Sequence, residues 1–137
     1  MPANAPLEKK PTILLVEADV IVRFAIADFL RVCDVIVIEA ADTDDAKAIL
    51  VAGPNVDILL SDAQLAGGGS GFVLAQWVRR HRPGLEVILT ASIDSKAQTA
   101  VDIAARIPDC SPISDAAGLA TKLNAMLAER KRRSRPQ

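Results

Sequence analysis

Val56-Asp57-Ile58-Leu59-Leu60-Ser61-Asp62 is a short apolar run that ends in a carboxylate, and Thr12-Ile13-Leu14-Leu15-Val16-Glu17 repeats the pattern. Uninterrupted apolar runs of this length read as strands of a parallel sheet buried on both faces. In open α/β sheets, ligands bind just beyond the carboxyl ends of the strands. Two acids at such ends point to a small acidic site, suited to Mg²⁺ and phosphoryl chemistry.

Outward from these two runs the pattern alternates. Strands are expected over residues 12–17, 35–39, 56–61, 85–90 and 106–110, and helices over 20–32, 43–51, 72–81, 95–105 and 116–130. Asp42 or Thr43 caps the second helix and Gly53-Pro54 ends it, while Ser114 or Asp115 caps the last. Five strand–helix pairs with short connections imply right-handed crossovers and a parallel sheet covered by helices on both faces. Pro2, Pro6 and Pro11 make residues 1–11 a loose arm ahead of a domain over 12–128. Residues 129–137 form a basic tail around Arg130-Lys131-Arg132-Arg133, read as a solvated helix end because cations suit a helix C-terminus.

A chain of 137 residues fits one domain with a core of its own. Half the residues are hydrophobic but only 3% are aromatic, so Leu, Ile, Val and Ala must fill that core. A formal net charge of −1 argues against a strongly basic nucleic-acid binder. No apolar run approaches the roughly 18 residues of a membrane span. The first ten residues lack the apolar centre of a signal peptide, so the expected location is the cytoplasm. Cys33 and Cys110 lie far apart and suggest neither metal spacing nor a disulfide framework. Two small core thiols in a reducing compartment are expected.

Ile13-Leu14-Leu15-Val16-Glu17, Asp57-Ile58-Leu59-Leu60-Ser61-Asp62, Gly69-Ser70-Gly71-Phe72 and Val87-Ile88-Leu89-Thr90-Ala91-Ser92 stand at strand ends in a fixed order. As a set they resemble the signature segments of response-regulator receiver domains, the phosphoacceptor modules of two-component signalling. The likeness covers residues 12–127 and implies a flavodoxin-like, doubly wound, five-stranded parallel sheet of order 2-1-3-4-5. It implies that Asp62 is the phosphoacceptor, attacking the phosphoryl group of a histidine kinase, a phosphotransfer protein or a small phosphodonor to give an acyl phosphate. By the same resemblance Glu17, Asp62 and the backbone carbonyl of Gln64 would hold Mg²⁺, which screens the repulsion between carboxylate and phosphoryl group. Thr90 would donate its hydroxyl to a phosphoryl oxygen, and Ala91 would leave the group room. Asp57 opens its strand at the opposite end of the sheet and is read as structural.

Three positions depart from the family pattern. The usual acidic pair after the first strand is Glu17-Ala18, and Asp19 comes one residue too late, so that it points elsewhere. The usual Lys-Pro after the fifth strand is Ser111-Pro112, which puts Ser111 in the place of the phosphate-contacting lysine. The switch position three residues earlier is Pro108, which cannot swing between rotamers. Losing one carboxylate and one lysine together leaves the formal pocket charge unchanged, so weak Mg²⁺ binding is expected, with water in the vacant place. The lysine is harder to replace, because Ser111 offers only a neutral hydrogen bond.

On the first helix Val22, Ala25, Ile26, Phe29 and Leu30 are expected to face the sheet, leaving Val20, Ile21, Phe24 and Ala27 toward water. A contiguous patch around Phe24 would suit a homodimer or a partner helix. Trp77 and Phe72 are read as packing residues and His81 as a surface residue at a helix end. The expected function is a stand-alone receiver domain, not an enzyme, that accepts phosphate on Asp62 through an impaired pocket. The rival is a pseudo-receiver, a phosphorylation-independent protein-interaction module. A phosphohydrolase with an aspartyl nucleophile is disfavoured, because Asp62-Ala63-Gln64 lacks a second acid two residues on.

Overall fold

The computed structural model describes residues 5–7, 10–65 and 69–135. The chain runs β1 (Thr12–Val16), α1 (Val20–Arg31), β2 (Ile36–Ala40), α2 (Thr43–Ala52), β3 (Ile58–Asp62), α3 (Gly71–His81), β4 (Glu86–Thr90), α4 (Ile93–Ala105) and α5 (Ala116–Arg133). The strands form a parallel sheet of order β2-β1-β3-β4. Side chains alternate across a strand, and this sets the two cores. Ile13, Leu15, Ile58 and Leu60 enter one with α1, α4 and α5, whereas Leu14, Val16 and Leu59 enter the other with α2 and α3.

The fifth strand expected over 106–110 is not formed, and the described residues hold a four-stranded sheet. Pro108 has no N–H to give to a ladder, and proline is confined to edges and bulges of sheets. The segment coils instead: Arg106 and Ile107 donate to Ile103 and Ala104, Cys110 donates to Ile107, and Asp109 is left-handed at φ 61. Without a fifth strand, β4 pairs with no strand on its outer side among the described residues, and Val87, Ile88 and Leu89 are half-buried. With no fifth strand to lead into, α4 lies in the same layer as α1 and α5 and packs on both through Ala97, Ala100, Ile103 and Ala104.

This third helix explains a second difference. Ala27, expected to face water, is fully buried, because α1 is flanked by α4 as well as α5. Val20 and Phe24 remain exposed as expected. Phe72 is exposed rather than packed, while Trp77 packs on the α2–α3 core and stacks on the His81 ring at 4.3 Å.

The cysteines also differ from expectation. Cys33 and Cys110 form a disulfide with a Cα–Cα distance of 5.0 Å, joining the end of α1 to the coil after α4. Their 77-residue separation hid a pairing that exists only because α1 and α4 end side by side. The arm is anchored in its described part: Leu7 donates to the Arg106 carbonyl, and Arg106 Nε donates to the Ala5 carbonyl, both at 2.8 Å. Arg106 also forms a bidentate pair with Glu86 at 2.7 Å, fastening the end of α4 to the start of β4. At the other terminus, the basic run Arg130–Arg133 forms the last turn of α5.

Candidate functional site

β1 and β3 are adjacent and parallel, so the residues that leave their carboxyl ends converge. Glu17 is 4% exposed and Asp62 sits directly across from Thr90 in the β3–β4 register. The Ala63 N–H donates to the Thr90 carbonyl at 2.8 Å, which keeps the two strand ends level beyond the ladder. Gly71, the first residue of α3, comes so close beneath this turn that a Cβ there would lie 2.2 Å from the Asp62 carbonyl oxygen. Only glycine permits that approach, and it presses the start of α3 against the Asp62 backbone.

The residue that completes the pocket is Lys96. Its Nζ lies 2.5 Å from Glu17 Oε1 and 2.7 Å from Asp62 Oδ2, bridging the two carboxylates. The other oxygens are engaged as well: Glu17 Oε2 accepts from the Asp19 N–H at 3.0 Å, and Asp62 Oδ1 accepts from the Gln64 N–H at 2.8 Å. Burial alone would push the Lys96 ammonium down, but hydrogen bonds to Asp62 and Glu17, with their charges, outweigh it and hold its pKa above the ordinary lysine value. The lysine is therefore charged at neutral pH. Beneath it, Leu15, Ile26, Leu60, Ser61 and Thr90 line a cavity of about 10 Å³, room for one water at most.

Glu17, Asp62 and Thr90 are thus brought together as the sequence suggested, and Gln64 meets Asp62 through its N–H. Ser111 is not with them. It lines a groove with Cys33, Asp34, Pro108 and Cys110 at the amino end of the sheet, where α1 ends. The balance of the pocket also changes, since a lysine is present after all and comes from α4. Asp57 accepts from the Thr12 N–H at 2.7 Å at the far end of the strands, a structural role. The glycine-rich stretch after Leu65 lies partly outside the described residues; within it, Gly69 accepts from the Thr43 hydroxyl at 2.6 Å.

Asp19 does point elsewhere. It caps α1, accepting from the Ile21 and Val22 N–H groups, and forms a bidentate pair with Arg130 of α5 at 2.8 and 3.0 Å. The Arg130 hydrogen bond, helped by the capping bonds and opposed by burial, holds its carboxyl below the usual range. A lowered folded-state pKa gives stability that is present above the unfolded value, about 3.9, and is lost as pH falls through the folded one. Asp19→Asn keeps the cap and loses the charge. Its melting point should lie below that of the parent at pH 6, and the two should converge toward pH 2–3. A gap of constant size across that range would refute the pairing.

As arranged, the pocket does not fit a resident divalent cation. Among the described residues no three acidic, histidine or cysteine side chains cluster as metal ligands. All four oxygens of Glu17 and Asp62 already accept hydrogen bonds, the position of a second acid is Ala18, and Asp19 is committed to α1 and Arg130.

Comparison with known proteins bears on the fold and the family. No curated protein sequence matches the chain. Among solved structures, a response regulator receiver protein from Pseudomonas putida superposes with a TM-score of 0.57 at 18% identity, over 88% of this chain and 99% of that one. A CheY-like receiver domain protein from Methanospirillum hungatei gives 0.56 at 19% identity, over 92% and 100%. The Salmonella typhimurium RcsB response regulator, described for its DNA interaction, gives 0.55 at 21%, and this chain spans only 64% of it. These likenesses establish the flavodoxin-like receiver fold. The model of the response regulator receiver domain matches residues 13–108, from β1 through the coil after α4. That span is most of the chain and contains every residue of the pocket, so the chain belongs to the response regulator receiver domain family.

Proposed function

We propose that the protein accepts a phosphoryl group on Asp62 from a histidine kinase or a phosphotransfer protein and passes the signal on by protein contact. Receiver domains are generally non-enzymatic signalling modules, and the reading follows that pattern. One observation carries it: a strand-end aspartate lies level with a buried threonine, with an ammonium 2.7 Å from its outer oxygen. An Asp62 oxygen would attack phosphorus while the bond to the donor imidazole breaks, leaving its electron pair on that nitrogen. The Lys96 ammonium and the Thr90 hydroxyl stand ready to receive phosphoryl oxygens.

Mg²⁺, which the family typically binds, would screen the repulsion between carboxylate and phosphoryl group. Here Glu17, Asp62 and the Gln64 carbonyl would hold it only weakly, and only in exchange for Lys96. As a stand-alone receiver, the protein would deliver its output through a helical face. The exposed Val20 and Phe24 of α1 offer such a surface to a second copy or a partner helix. Among the described residues no helix is long and apolar enough to cross a membrane.

The second reading is the pseudo-receiver, favoured by the full engagement of both carboxylates and by the missing fifth strand. Incubation with acetyl phosphate, and separately with a phosphorylated histidine phosphotransfer protein, decides between them. The expected result is a hydroxylamine-labile mass gain of one phosphoryl group, absent in Asp62→Asn. No gain from either donor, or a gain that survives in Asp62→Asn, would leave the pseudo-receiver.

A further inference from the structure

We infer that the Lys96 ammonium is the pocket's own cation, seated between Glu17 and Asp62 where a divalent ion would bridge them, so that divalent ions enter only by displacing it. The inference concerns the same carboxylates as the phosphoacceptor reading, but its test uses no phosphoryl donor, so either can fail alone.

Lys96 reaches the pocket from a helix whose position is fixed. Ala97, Ala100, Ile103 and Ala104 bury α4 against α1 and α5, so the lysine is delivered by a packed element and not by a mobile loop. Its side chain is 12% exposed, and its stem covers the small cavity lined by Leu15, Ile26 and Leu60. Both of its contacts are charge-assisted hydrogen bonds, about twice as strong as neutral ones.

Two carboxylates and one ammonium leave a single net negative charge, where two carboxylates alone would present two. An incoming divalent ion therefore meets a weakened attraction and must also break both lysine contacts. A hydrated Mg²⁺ gives up its own water reluctantly and prefers near-octahedral oxygen geometry. A lysine tethered to the same fold competes at high effective concentration against an ion free in solution. The position three residues after Pro108, where the resemblance expected a cation, holds a serine outside the pocket. The cation of this pocket therefore comes from the first turn of α4 and not from the segment after it.

The test is a titration with Mn²⁺ alone, read by electron paramagnetic resonance of the free ion, on the full chain. Lys96→Met keeps the length of the stem and removes the charge; it should bind Mn²⁺ at least about tenfold more tightly than the parent, given the repulsion relieved at this range. Lys96→Gln should gain similarly, while Lys96→Arg should not. Adding Glu17→Gln to Lys96→Met should abolish the gain. Equal affinity of parent, Lys96→Met and Lys96→Gln would overturn the inference. So would a gain that persists without the Glu17 charge, because the ion would then be binding elsewhere.

Discussion

Reducing the disulfide between Cys33 and Cys110 is expected to lower the stability of the fold by about 4 kcal/mol, in line with loop-closure entropy for a loop of this size. The bond closes a loop of 77 residues that contains β2, α2, β3, α3, β4 and α4. Opening it restores to the unfolded chain a large set of conformations that the bond forbids, while the native contacts of α1 and α4 remain. For a domain of this size the melting point should fall by roughly 15 °C. Thermal melts with and without a thiol reductant measure the effect, and a Cys33→Ser, Cys110→Ser double variant should melt at the reduced value under both conditions. If thiol titration finds both cysteines free and the midpoint has not moved, the loop-closure account fails.

Among the described glycines, Gly71 is the one where an added methyl, Gly71→Ala, is expected to do the most damage. The added Cβ would meet the Asp62 carbonyl oxygen at 2.2 Å and the Ala63 Cα at 2.9 Å, both backbone atoms that no rotamer change can move. The cost should be about 3 kcal/mol, at the upper end for overpacking. Because the atoms displaced belong to Asp62 itself, phosphoryl acceptance should fall even at temperatures where the variant stays folded. Gly84→Ala is the control, since a Cβ there meets nothing within 4 Å. Equal melting points for the two variants would mean that α3 can retreat from the Asp62 turn freely.

Much of this fold is legible in the chain. The strands at Thr12, Ile36, Ile58 and Glu86 announce themselves because both faces of the sheet are covered, which leaves runs with almost no polar interruption. Glu17 and Asp62 follow from the same runs, since a carboxylate directly after a buried strand has few other places to be. The fifth strand was read from the alternation of strands and helices and fitted the family likeness, but Pro108 within it works against pairing.

Lys96 was missed because it sits four residues beyond a cap in an ordinary amphipathic helix, among residues that read as solvent-facing. A signal existed nonetheless. A cation in the first turn of a helix opposes the positive end of the helix dipole, and there it calls for an anionic partner beyond the strand ends. The disulfide had no such signal, because it depends on α4 lying beside α1, and the side of the sheet that a helix covers is set by the strand it leads to. Here that strand is absent.

A sheet that stops at its fourth member has a further consequence. Among the described residues, the outer side of β4 carries main-chain donors and acceptors with no ladder to join, next to the half-buried side chains of Val87 and Leu89. Such a border is a template for any extended peptide, whether a regulatory segment of another protein or a misfolded copy of this one. Its short span is an ordinary defence against the second outcome. In losing its last strand the protein has acquired a rim that its environment must either fill or leave alone.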